Sequence, residues 1–205
     1  MTEPQDTAPT QQKAGFAAII GAPNAGKSTL VNRLTGTKVS IVTQKVQTTR
    51  FPVRGIALYD DAQIVLVDTP GIFSPRRRLD RAMVASAWGG ADEADAVVHL
   101  VDAASHLAAQ AKAGSAADRR SAEDTETIIA ALKESGKKVI LALNKIDGMR
   151  RDTLLSLSQQ LFDTGVYSEV FMISALSGDG VDDLGRRLAG MMPEGPWLYP
   201  ADQSA

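Results

Sequence analysis

The 205-residue sequence contains no cysteine. That excludes disulfides, thiolate metal centres and cysteine nucleophiles, and it suits a reducing compartment. A large excess of charge of either sign is also missing. The 22 Lys and Arg against 24 Asp and Glu leave a formal net charge of -2. No molecule-wide basic field advertises nucleic-acid binding, so any such contact needs a local patch. No apolar run approaches the roughly 18 residues of a membrane span. The polar N-terminus, "MTEPQDTAPTQQKA", lacks the apolar stretch of a signal peptide. Residues 1–14 read as a disordered tail. These absences point to a soluble cytoplasmic protein, at most peripheral at the inner membrane. What is present is 44% hydrophobic residues, enough for a sizeable core in a chain of single-domain length.

Those apolar residues come in short runs that alternate with amphipathic stretches. "GFAAIIG" (15–21), "QIVLVDT" (63–69), "AVVHLVDA" (96–103), "KKVILALNK" (137–145) and "SEVFMISA" (168–175) predict strands covered on both faces. Residues 26–36, 79–94, 122–136, 151–165 and 180–192 have helical spacing. In "FPVRGIALYDDAQIVLVD" (51–68) two strand-like runs meet at Asp60-Asp61, a hairpin-length connection that makes one strand antiparallel. The expected fold is α/β: a six-stranded, mostly parallel sheet with helices on both faces, in three α/β/α layers. Residues 105–125, rich in Ala, Ser and Gly, read as a long surface loop or a frayed helix. Residues 193–205 carry three Pro and read as a linker.

Ligands of such sheets bind beyond the carboxyl ends of the strands, and the motifs lie there. "GAPNAGKS" (21–28) fits the P-loop pattern between a strand and a helix. Gly21 and Gly26 let the backbone wrap a phosphate, and the following helix adds its positive end. Gly21, Ala22, Pro23, Asn24, Ala25, Gly26, Lys27, Ser28 and Thr29 are the expected phosphate-binding residues. Lys27 reaches the β- and γ-phosphates, and Ser28 offers its hydroxyl to Mg²⁺. "DTPG" (68–71) ends another strand. Asp68 is expected to hold Mg²⁺ through water, and the Gly71 N–H to sense the γ-phosphate. Taken alone, Asp-Thr-Pro-Gly is also a common turn.

"NKID" (144–147) selects the base. A buried Asp147 would accept from both guanine N1–H and N2–H₂, and would be left unpaired against adenine. Asn144 can bridge guanine and P-loop, and the Lys145 stem can cover the base. "SAL" (Ser174, Ala175, Leu176) ends the next strand, where the Ala175 N–H can donate to guanine O6.

In this order the four motifs resemble the Ras-like P-loop GTPase superfamily. Residues 38–56, 68–88 and 193–203 are more specifically similar to the Era family, bacterial GTPases of small-ribosomal-subunit assembly. The resemblance implies a GTP/GDP switch, Mg²⁺ dependence, and a role in 30S assembly and 16S rRNA maturation with the small subunit and its rRNA as partners. A monomer is expected. It divides the chain into a GTPase domain over 15–192 and a linker over 193–205. Era proteins continue into a KH RNA-binding domain, and this chain stops before one, with no G-x-x-G loop in a fitting place. The resemblance also implies that Thr48 or Thr49, in "QTTR" (47–50), closes over Mg²⁺ in the triphosphate state, with Thr49 favoured.

One catalytic group is missing. Well-studied small GTPases place a water-orienting Gln after the Gly of the second motif. Here Ile72 stands there, and it cannot hydrogen-bond. Catalysis must then come from charge near the β–γ bridge. By resemblance to Era and related tRNA-modifying GTPases, Asn24 is a K⁺ ligand candidate, giving Asn24, Lys27, Thr49 and Gly71 as the catalytic set. The alternative is a GTP/GDP-binding switch with negligible hydrolysis until the ribosome or another domain completes the site. Arg76, Arg77 and Arg78 are candidate rRNA-backbone contacts. His99 reads as a hydrogen-bonded core residue, His106 carries no signal, and Trp88 and Trp197 are expected to pack.

Overall fold

The apolar runs form one six-stranded sheet. The computed structural model describes residues 12–36, 53–67, 94–111 and 114–200. The strands are β1 (Lys13–Ile20), β2 (Val53–Tyr59), β3 (Ala62–Val67), β4 (Ala96–Asp102), β5 (Val139–Asn144) and β6 (Tyr167–Met172). The order across the sheet is β2-β3-β1-β4-β5-β6. All neighbours are parallel except the β2–β3 hairpin at the edge. Its turn places Asp60 at φ 52°, a left-handed conformation that Asp tolerates better than most residues.

Five helices lie among the described residues: α1 (Lys27–Leu34), α2 (Ala103–Gln110), α3 (Ala116–Ser135), α4 (Arg151–Phe162) and α5 (Val181–Met191). Leu30, Val31 and Leu34 of α1 and Leu184 and Leu188 of α5 bury against Ile19, Leu66 and Leu100 on one sheet face. Ile128 and Leu132 of α3 and Leu154, Leu157 and Leu161 of α4 cover Ile20, Val101, Leu141 and Leu143 on the other. The three-layer expectation is therefore met, by apolar stripes at helical spacing meeting strands buried on both sides.

Three local expectations change. First, β1 starts at Lys13, two residues inside the expected tail, because Lys13 and Ala14 donate to the carbonyls of Asp61 and Pro193. Second, residues 105–125 are mostly helical. Asp102 caps α2 by accepting from the Ser105 N–H, and Ser115 with Asp118 forms a capping box on α3. Capping thus overrides the loop-like composition. Third, residues 193–200 lie on the domain. Glu194 bridges to Lys13, the Trp197 indole donates to Asp61 O, and Tyr199 is buried beside Ile56 and Val65. The expected helix over 79–94, except Ala94, lies outside the described residues, as do Thr49, Asp68, Gly71, Ile72, Arg76, Arg77, Arg78 and Trp88.

Candidate nucleotide-binding site

The carboxyl ends of β1, β4, β5 and β6 meet at one edge of the sheet, and side chains there tie three motifs together. β1 ends at Ile20 and passes through residues 21–26 into α1. Gly26 stands at the helix N-cap with φ 103°, and no side chain caps the first turn. No side-chain cap therefore competes with an anion at this helix end. Lys27 Nζ donates to Gly21 O at 3.0 Å and Ala22 O at 2.8 Å, which sets its charge across the loop. Ala22 and Ala25 are buried, whereas Pro23, Asn24, Ser28 and Thr29 are exposed. A Cβ on Gly21 would overlap Leu100 O, and one on Gly26 would overlap Asn144 Nδ2. The second glycine is therefore needed for packing against another motif, beyond the backbone freedom expected of it.

Asn144, the last residue of β5, is 2% exposed. Its Nδ2 donates to Ala25 O at 2.8 Å, and its Oδ1 accepts from the Ala175 N–H at 2.9 Å. The expected bridge from Asn144 to the P-loop is present. The Ala175 N–H, expected to point at guanine O6, is here bonded to Asn144 instead. Lys145 has φ 64°, and its Nζ donates to Asn24 O at 2.9 Å and Asp102 Oδ2 at 2.6 Å. Asp147, expected to be buried, is exposed, because it stands in the turn beyond the covered length of β5. Its Oδ1 accepts from Ser174 Oγ at 2.7 Å, and that oxygen also accepts from the Ser177 N–H at 3.0 Å. Leu176 is 75% exposed.

Two contributors were missed in the sequence. Asp102 pairs with Lys145 while capping α2. Its signal was a carboxylate ending an apolar strand run just before a helix. Arg33, on α1, contacts the carbonyls of Ala175 and Leu176, and nothing in the sequence singles it out. Beneath the site, His99 is fully buried with Nδ1 2.8 Å from Tyr167 Oη, the core role expected of it. Burial, then the charges of His106 and Lys27, pushes the His99 pKa down to about 3. Burial, then Glu126, raises the Tyr167 hydroxyl. His106, which gave no signal, is buried on α2.

Comparison with known families matches residues 16–145 to the 50S ribosome-binding GTPase family. The chain belongs to that family. It is 68% identical to GTPase Era of Caulobacter vibrioides over 96% of this chain and 62% of that protein. Among solved structures it is similar to an Aquifex aeolicus Era variant bound to GDP and AlF₄⁻, with 36% identity and a TM-score of 0.71. That match covers 93% of this chain and 61% of the other. The same identity, coverage and TM-score hold for Era in complex with MgGDPNP and nucleotides 1506–1542 of 16S ribosomal RNA. The chain thus spans about three-fifths of these relatives. The Era resemblance and the P-loop GTPase fold read from the sequence are both borne out.

Proposed function

We propose that this chain binds GTP and GDP and hydrolyses GTP as a molecular switch. The observation that carries the reading is Asn144, whose single amide joins the P-loop at Ala25 to the base loop at Ala175. Phosphate and base recognition are thereby built as one unit. Lys27 and the N–H groups of residues 21–28 hold the phosphates, Asp147 reads the guanine N1–H and N2–H₂, and Lys145 covers the base.

Ser28, Thr49 and Asp68 are proposed to hold Mg²⁺, which neutralises charge developing on the phosphates. Ser28 is exposed on the first turn of α1, and the all-oxygen donor set suits a hard cation. Asp68 directly follows Val67, which pairs with Ala18 on the strand entering the P-loop. No His, Asp or Glu cluster able to hold a metal by itself occurs among the described residues. With Ile72 in place of a water-orienting side chain, Asn24 is assigned as a K⁺ ligand beside the phosphates. Its carbonyl is held by Lys145 while the residue stays exposed. Small-subunit rRNA is the proposed partner, supported by the complex of the relative with 16S rRNA. No described helix is long and apolar enough to cross a membrane.

Ile72 favours a second reading, a binding switch that hydrolyses negligibly on its own. Single-turnover hydrolysis of GTP by this chain in K⁺ and in Na⁺ decides between them. The first reading predicts faster turnover in K⁺. Equal, near-zero rates in both salts support the second.

A further inference from the structure

α1 begins at the phosphate end of the site and carries Arg33 in its last turn. Arg33 Nε donates to Ala175 O at 3.3 Å, and its Nη2 donates to Leu176 O. Gly178 lies against the same guanidinium: a Cβ there would sit 3.7 Å from Arg33 Cζ, Nε and Nη1. The Ala175 residue is thus gripped on both sides, its N–H by Asn144 and its carbonyl by Arg33. The contacts close a circuit. The P-loop runs into α1, α1 holds the base loop through Arg33, the base loop bonds to Asn144, and Asn144 returns to the P-loop at Ala25. A planar guanidinium suits this role, because it presents several donors in a fixed fork to adjacent carbonyls.

We infer that Arg33 is a positioning residue for base specificity: by holding the carbonyls of residues 175 and 176 it sets the Leu176 N–H to donate to O6 of the base, the Ala175 N–H being held by Asn144, and it slows nucleotide release. This rests on the guanine-nucleotide reading above. Arg33 is exposed and lies at the end of α1 away from Lys27 and Ser28, so its removal should spare folding and phosphate binding.

The test is equilibrium and stopped-flow binding of GDP and of 6-thioguanosine diphosphate, which keeps N1–H and N2–H₂ but carries a weakly accepting sulfur in place of O6, to the unsubstituted chain and to Arg33→Ala and Arg33→Lys. Circular dichroism melts accompany each. Arg33→Ala is expected to weaken GDP by about tenfold, mostly through faster release, as losing charge-assisted hydrogen bonds implies. The analogue should change little, so the GDP-to-analogue ratio shrinks. Arg33→Lys should recover part of it through one carbonyl. An unchanged ratio in Arg33→Ala, whether both ligands weaken in parallel or neither does, overturns the inference. Absence of any guanine preference in the unsubstituted chain overturns the reading beneath it.

Discussion

At the residue scale, Asp102 shows how the site is held from below. Its side chain is 7% exposed and accepts from both Lys145 Nζ and the Ser105 N–H. Lys145 in turn holds the Asn24 carbonyl and sits at a φ unusual for a lysine. Two roles are therefore joined in one carboxylate, and Asp102→Asn separates them. Asn caps helices as well as Asp but carries no charge for Lys145. The substitution is expected to leave α2 intact by circular dichroism while GDP dissociates about tenfold faster, consistent with losing a charge-assisted bond of roughly 1.5–3 kcal/mol. Unchanged dissociation would show that Lys145 keeps its place without Asp102. Asp102 acts on Lys145 across 43 positions, and Arg33 on Ala175 across 142. Contiguous motifs advertise themselves in a sequence, but such distant partners do not. The candidate base loops at 144–147 and 174–176 were legible for that reason, whereas the side chains that support them were not. The exposure of Asp147 was misjudged because burial depends on where a strand stops being covered, which spacing does not record.

At the element scale, the strand runs were readable because strands buried on both faces must be continuously apolar. Helix α2 and the start of α3, before the helix expected over 122–136, were harder, since Ala, Ser and Gly are as common in loops. Their capping contacts at Asp102 and Ser115 decide the matter. The same layer holds a buried polar pair that spans three strands. His99 of β4 reaches over β5 to Tyr167 of β6, with ring centroids 5.9 Å apart. The folded pKa of His99, about 3, lies below its ordinary 6.5. Between these values the unfolded chain binds more protons. The stability owed to neutral His99 is thus complete above about pH 6.5 and falls as pH drops toward 3, by at most about 1.4 kcal/mol per pH unit. Burial lowers His106 too, against a raising effect of Glu126, so it adds in the same direction. Urea unfolding of the chain and of a His99→Gln variant, from pH 7.5 to 5, should show the stability gap between them narrowing as pH falls. A gap independent of pH would contradict the assignment.

At the scale of the whole molecule, the sheet has two differently fastened ends. The carboxyl ends of the parallel strands carry the nucleotide motifs. The opposite end is tied by the C-terminal stretch, which rounds the start of β1 through Ala14 N–H to Pro193 O and Gly195 N–H to Gln12 O. It then locks onto β3, where the Gln63 amide bonds both the N–H and the carbonyl of Tyr199. Proline content made residues 193–200 look like a free linker. A contact between residues 136 positions apart leaves no periodic trace. The central claim, that Asp147 selects guanine, is open to a direct measurement. Competition binding of GTP and XTP is compared for the unsubstituted chain and Asp147→Asn. Xanthine carries a carbonyl where guanine carries its amino group, and the Asn amide can donate to it. The account predicts that GTP weakens by about tenfold or more while XTP tightens, reversing the preference, since a polar site mismatched to its base discriminates strongly. Full GTP preference retained in Asp147→Asn would contradict it.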